Sequence, residues 1–318
     1  MAEKLHIAVL RGGQSTEYEA SLKSGHAVTV ALEHIHLVQD IFIDKRGVWH
    51  RRGVPVTPEK ALHGIDVAFI ALHGTYGEDG QIQRTLTSLG IPYTGSDAFA
   101  SGLAIDRAKA KEVLKKIPQV RMPLHHVVSH YEGMHYAEKS HEIFNFFGPP
   151  YVVKALHGGT HNHLRIAKTL HDLPKAIHHV ATRTNDDVLV EQYEKGVHVS
   201  CVAIEMFRGK AIYTTIPAEE HFVDGVHTSA HAPARITAAM KKHIEDATEY
   251  IHDTLQFTHV SEMHFVVNQR TIFFLNASSS PLLTTASPLL VSLEAVGSSL
   301  TEYCEHLISQ ARTTKRYA

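Results

Sequence analysis

Only two cysteines occur in 318 residues, Cys201 and Cys304, and they lie far apart and outside any Cys-x-x-Cys spacing. That usage excludes a disulfide framework and fits a reducing compartment, where both residues read as small buried hydrophobes. No apolar run reaches the roughly 18 residues that a membrane span needs. The first apolar stretch, Leu5–Leu10, meets Arg11 too soon for the core of a signal peptide, so the expected location is the cytoplasm. An excess of either charge is missing as well. Lys and Arg total 31 against 33 Asp and Glu, and no long basic run occurs, so neither nucleic acid nor an anionic membrane is an expected partner. Neither an internal repeat nor a disordered linker interrupts the chain.

Histidine, by contrast, is abundant, its 27 residues nearly equalling Lys and Arg together. They are scattered rather than tracted, which reads most plainly as surface accumulation, although acidification through about pH 6.5 would charge many of them. The 43% hydrophobic content suffices for two or three small domains sharing interfaces.

The first hundred residues alternate apolar strands with amphipathic helices. Leu5–Leu10 is followed by a Gly12-Gly13 turn and a helix from about Glu17 to Leu32, and Leu37–Ile43 and Val67–Leu72 supply further strands. This is the pattern of an open, mostly parallel sheet. Thr16 followed by Glu19 gives a capping-box pattern at the first helix. A charged, alanine-rich helix over Ile105–Lys116 starts a second section, with a strand at Tyr151–Lys154 and a glycine- and histidine-bearing loop over Ala155–Leu164. The third section begins with a strand at Asp187–Gln192 and continues through a loop at His221–Pro233 and a helix at Ala238–Thr254. Strands at His259–Val267 and Thr271–Leu275 follow, and a helix over Leu293–Ala311 closes the chain.

Four stretches, in order, resemble the D-alanine:D-alanine ligases. They are Val9–Gly25 (VLRGGQSTEYEASLKSG); Ala71–Gly80 (ALHGTYGEDG) with Gly90–Ser96 (GIPYTGS); Tyr151–Lys154 with its loop and then Val188–Glu191; and Phe274–Pro281 (FLNASSSP) leading to Glu294–Gly297. The resemblance implies an α/β ATP-grasp fold, with an N-terminal open parallel-sheet domain over 1–95. Two α+β subdomains, a central one over 96–188 and a C-terminal one over 189–318, would sandwich ATP. It also implies ATP-dependent joining of two D-alanines for peptidoglycan precursors, with ATP and magnesium as cofactors and, by analogy, a homodimer.

Carried over residue by residue, Glu17 stands where the family grips the first D-alanine's ammonium. His73, Glu78 and Asp79 stand in the loop beside it, and Ser287 where the second D-alanine's carboxylate binds, a helix N-cap being the plain alternative. Lys154 and Arg107 match the ATP cations, Gly158, Gly159 and Thr160 the flexible loop over the phosphates, and Glu191 a hinge near adenine. His198 falls where an acidic residue binds the ribose hydroxyls, and a neutral imidazole accepts only one such bond.

The largest departure is at the metal. His264, Asn276 and Ser278 occupy the positions of an aspartate, a glutamate and an asparagine that hold two magnesium ions, and hard cations favour carboxylate oxygen. Glu262 replaces an arginine that stabilises the phosphoryl transition state, and Leu282 replaces a glycine of the oxyanion site. The expectation is a family member that keeps its D-alanine pocket and ligates poorly or not at all. The alternatives are an active ligase with an atypical metal site, a histidine-based transition-metal site joining His264 to His157, His161 or His163, and a different ATP-grasp ligase that joins other amino or hydroxy acids.

Overall fold

The computed structural model describes residues 4–158, 164–223, 226–268 and 271–314. Its first sheet has the order β4-β3-β2-β1-β5, formed by β1 (His6–Gly12), β2 (Leu37–Ile43), β3 (Trp49–Arg51), β4 (Val54–Val56) and β5 (Val67–Ile70). The central strand β1 runs parallel to β2 and β5, and both of its faces are covered. The short β3–β4 meander, with Pro55 on the outermost strand, blunts the edge. Helix α1 (Tyr18–Leu32) follows the glycine turn, but Glu17, not Thr16, occupies the N-cap and its side chain makes no capping hydrogen bond, so the capping box does not form. Instead Ser15 Oγ accepts from the Glu17 amide at 3.1 Å. Helices α2 (Pro58–Ala61) and α3 (Gln81–Ser88) complete this unit.

The second sheet has the order β6-β9-β7-β8: β6 (His125–Val128), β7 (Tyr151–Ala155), β8 (Arg165–Ala167) and β9 (Val188–Gln192). The strand expected to open the third section therefore closes the second, because β9 pairs with both β6 and β7. Helices α4 (Ala98–Ile105) and α5 (Arg107–Leu114) also depart from the sequence order. Ala100, Ala104, Ala110 and Leu114 share an apolar core with the third sheet, whereas α6 (Tyr136–Phe146) and α7 (Leu173–Thr184) cover the second.

The third sheet has the order β13-β12-β10-β14-β15: β10 (Val197–Glu205), β12 (Ala218–Val223), β13 (Val226–His231), β14 (Val260–Val267) and β15 (Ile272–Ser278), with β11 (Ile212–Thr214) pairing β10. The segment read as a loop over His221–Pro233 is mostly the β12–β13 hairpin, its pairing running from Glu219↔His231 to Val223↔Val226. Helix α8 (Ala238–Thr254) buries Ile244, Ala247 and Ile251 against Val199, Cys201, Met263 and Phe265. Since strand residues alternate, His198, Ser200, Glu262 and His264 face the other way.

The expected closing helix is two, α9 (Pro288–Ala295) and α10 (Leu300–Thr313), divided at Gly297 with φ of 68°. Leu289, Leu293, Leu307 and Ile308 from these helices pack with Ile7, Val9 and Phe69 of the first sheet and Val202 and Ile204 of the third. One apolar cluster thus ties the N-terminal and C-terminal units together and fixes the cleft between them. Both cysteines are buried and free. Among the described residues, no helix is long and apolar enough to cross a membrane.

Candidate active site

Where β1 ends, Gly12 takes a positive φ and passes so near β2 that a Cβ would lie 2.2 Å from the Ile43 carbonyl oxygen, a position only glycine tolerates. This turn delivers Ser15 and Glu17 to the cleft. Ser15 Oγ donates to the His73 carbonyl at 2.6 Å, joining the loop after β5 to the start of α1. The His73 ring meets Ser24 Oγ at 2.8 Å, and burial drives its pKa down to about 4, so it is neutral.

Glu78 accepts the Gly74 amide at 2.8 Å through Oε1 and the Ser278 hydroxyl at 2.6 Å through Oε2. Burial first, and then the Glu17 charge, raise its pKa to about 8. Asp79 lies outside this pocket. It accepts the Tyr76 and Gln81 amides and holds the turn that starts α3.

Between the second and third sheets lies a cavity of about 500 Å³, with Arg107, Lys154, Glu191, His198, Glu220 and Asn276 among its walls. Its apolar lining comes from Val152, Ile166, Phe222, Val266 and Leu275. Glu191, expected at the adenine hinge, is held in an ion triad, its two oxygens 2.6 Å from Lys154 Nζ and 2.9 Å from Lys111 Nζ. Burial opposes ionisation of this carboxyl, but the two ammonium groups prevail and bring its pKa to about 2. Lys154 moves to about 7, chiefly through burial.

Lys111 escaped the sequence reading although it stands one helical turn after Arg107, on the same face of α5. It is 1% exposed and also donates to the carbonyls of Phe274 and Leu275, which fastens α5 to β15. Arg107 is equally buried and donates to the Ala155 carbonyl. Gly158 carries the β7 loop toward Glu17, since a Cβ there would lie 3.9 Å from the Glu17 carboxylate. Gly159, Thr160 and His161 to His163 lie outside the described residues.

The expected metal positions do come together. Register places His264 opposite Ser200 and Asn276, and Glu262 opposite Ser278. The ring of His264 is already engaged, with Nδ1 3.0 Å from Glu220 Oε1 and Nε2 3.8 Å from Glu262 Oε2. Burial favours loss of its proton, but Glu220 and then Glu262 outweigh burial and raise its pKa to about 9. Glu262 in turn accepts the Ser200 hydroxyl at 2.7 Å.

Both ring nitrogens of His264 are turned to carboxyl groups, and an imidazole nitrogen is in any case a poor ligand for a hard cation. Ser278 is committed to Glu78, and the Asn276 amide nitrogen is buried without a hydrogen-bond partner among the described residues. These three positions therefore do not fit magnesium. His157 does not join His264 either, because its ring is bound to Asp186 at 2.8 Å and raised in pKa mainly by that hydrogen bond. Ser287 caps α9, accepting from the Leu290 amide at 3.4 Å. Glu220, the strongest partner of His264, was missed in the sequence. Its only signal is the period-two spacing to Phe222, which also faces His198, at 5.0 Å between ring centroids.

Comparison with known proteins agrees with this architecture. The model of the D-ala D-ala ligase N-terminus matches residues 51–96, and that of the D-ala D-ala ligase C-terminus matches residues 115–309. The chain belongs to the D-alanine–D-alanine ligase family. It is 31% identical over 318 residues to the D-alanine–D-alanine ligase of Geobacter sulfurreducens, covering 96% of this chain and 93% of that protein. It is 32% identical to that of an Anaeromyxobacter species, covering 96% of each.

Solved structures share the ATP-grasp fold of the ligase family at lower identity. The D-alanine-D-alanine ligase of Coxiella burnetii superposes with a TM-score of 0.83 at 23% identity, over 98% of this chain and 94% of that one. The Bacillus anthracis ligase, solved with ATP, gives 0.77 at 23% identity over 98% and 100%.

Proposed function

We infer that this family member keeps a D-alanine-shaped pocket and a nucleotide cavity but has lost most or all of the ligase activity. One observation carries the reading: the His264 ring, at a position where the resemblance expects a magnesium ligand, lies 3.0 Å from Glu220 and 3.8 Å from Glu262 and brings no carboxylate oxygen of its own. Acyl-phosphate formation needs preorganised positive charge on the transferring phosphoryl group. Glu262 places a buried carboxyl group where a guanidinium is expected. Removal of a single preorganised donor costs about 10²–10³ in kcat, so several concurrent losses lower turnover by many powers of ten.

The nucleotide side is better preserved. Apolar walls suit a purine, and Arg107 and Lys154 face the cavity with their charge partly offset by Glu191. Calorimetry with ATP is expected to show binding that changes little when magnesium is added. Purified protein with D-alanine and magnesium ATP is expected to release no ADP above background. Ordinary D-alanyl-D-alanine turnover would sink the reading.

A second reading, an active ligase with an atypical metal site, rests on the two carboxyl groups flanking His264, which could hold a cation if the ring were displaced. It requires magnesium-dependent ligation and a steep magnesium dependence of ATP binding, the opposite of the calorimetric result expected above.

A further inference from the structure

The hairpin that walls the nucleotide cavity carries a second cluster that the ligase reading does not use. On β12, period two sends Glu219 and His221 to the side away from Glu220. On β13, His231 pairs directly with Glu219. One donor atom from each of Glu219, His221 and His231 falls within a sphere of mutual distances under 4.8 Å. The His221 and His231 rings stack at 5.0 Å with planes 15° apart, and His221 Nε2 lies 3.0 Å from His231 Nδ1. Two nitrogens bound to one tetrahedral zinc stand about 3.3 Å apart, given bond lengths of about 2.0–2.1 Å. The observed pair needs only a few tenths of an ångström of adjustment.

The carboxylate completes the set, with Glu219 Oε1 3.8 Å from His221 Nε2. Arg235 engages both of its oxygens, donating from Nη2 to Oε1 at 3.0 Å and from Nε to Oε2 at 3.2 Å, with the Arg235 amide adding a third bond to Oε2 at 3.1 Å. Such an outer partner fixes the orientation of a ligand group, while its positive charge weakens the carboxylate as a donor. The two histidine side chains are 40% and 39% exposed, so an ion has a path in and a water can complete its coordination.

We propose that Glu219, His221 and His231 form a binding site for a borderline-soft divalent transition cation, of the zinc or nickel class, that braces the β12–β13 hairpin. Two imidazoles and one carboxylate suit these ions and do not suit magnesium or calcium. The site is dissociable, because Arg235 shares the carboxylate.

The test uses full-length, untagged protein stripped with a chelator and titrated with zinc chloride against a chromophoric competitor. One zinc per chain is expected, unaffected by millimolar magnesium, with affinity falling at least about 100-fold in His221→Ala and in His231→Ala, since even outer partners of a metal contribute about 10–100-fold. Zinc should also slow amide exchange over residues 218–223 in the parent and not in the variants. Both histidines are partly exposed, and metal-free melting curves matching the parent will show that the variants fold. Zinc binding of parental strength in the double variant marks adventitious histidines elsewhere and overturns the proposal, as does a parent that binds none.

Discussion

The N-terminal pocket and the C-terminal sheet each bury a histidine near carboxyl groups, and the two settings drive the rings in opposite directions. His73 has a hydroxyl at its Nε2, so burial dominates and the ring stays neutral. His264 lies between Glu220 and Glu262, and their charges overcome the same burial. Burial alone therefore predicts neither state; the partner does. The first half surrounds its buried histidine with hydrogen bonds from Ser15 and Ser24. The second places its buried histidine between two carboxyl groups.

The most direct way to break this comparison is to rebuild the second half. The combined variant Glu262→Arg, His264→Asp, Asn276→Glu and Ser278→Asn places hard oxygen ligands and a guanidinium where the resemblance expects them. If the pocket around Glu17 is competent, magnesium-dependent ADP release with D-alanine should rise at least about 10²-fold over the parent, the value of one recovered donor. A parent already as fast as the rebuilt variant would erase the contrast between the halves.

The stability of the internal cation gives a smaller, separate effect. His264→Ala leaves two buried carboxyl groups facing one another, and losing one partner of a buried ion pair costs about 3–5 kcal/mol. Urea midpoints at neutral pH should show it.

Proton linkage adds a sign. The folded His264 pKa of about 9 lies above the ordinary 6.5, so its contribution is full below 6.5 and lost as pH rises through about 9. The gap between the parent and His264→Gln should narrow across that range. His73, depressed to about 4, contributes fully above 6.5 and loses its contribution as pH falls toward 4. His73→Gln should remove about one proton from the acid limb and leave the alkaline limb alone. Identical limbs in both variants would mean that the two rings do not differ in charge.

The fold was legible wherever local pattern and family motif agreed. The parallel strands around Gly12 and the helix Ala238–Thr254 needed only hydrophobic period and turn chemistry. The β12–β13 hairpin was not legible, because histidine at His221, His227 and His231 hides the apolar alternation that marks a strand. The site divided in the same way. Residues on motifs, including Glu17, Glu78 and Lys154, lie buried around the cleft, as does His264, which stands outside them. Glu220 and Lys111 were missed because their roles come from cross-strand register and helix docking, which bring together residues 44 and 80 positions apart. The sequence singled out His264, Asn276 and Ser278, which the sheet brings together, but the engagement of His264 by Glu220 depends on three-dimensional pairing that spacing cannot show.

Ser287 offers the finest comparison, since it is a substrate residue by resemblance and a helix cap by geometry. Its Oγ accepts from the Leu290 amide at 3.4 Å, and it is 2% exposed at the start of α9. Ser287→Ala should cost about 1 kcal/mol through the lost cap, whereas Asn, an equally good capping residue, should restore most of that stability. D-alanine affinity, measured by calorimetry on both variants, then separates the roles. A pure cap predicts parental affinity in Ser287→Asn, because α9 stays in place. A substrate contact predicts weaker binding in both variants, since the bulkier amide cannot present a hydroxyl at the same point. Parental binding in both would confine the recognition of D-alanine to the N-terminal pocket.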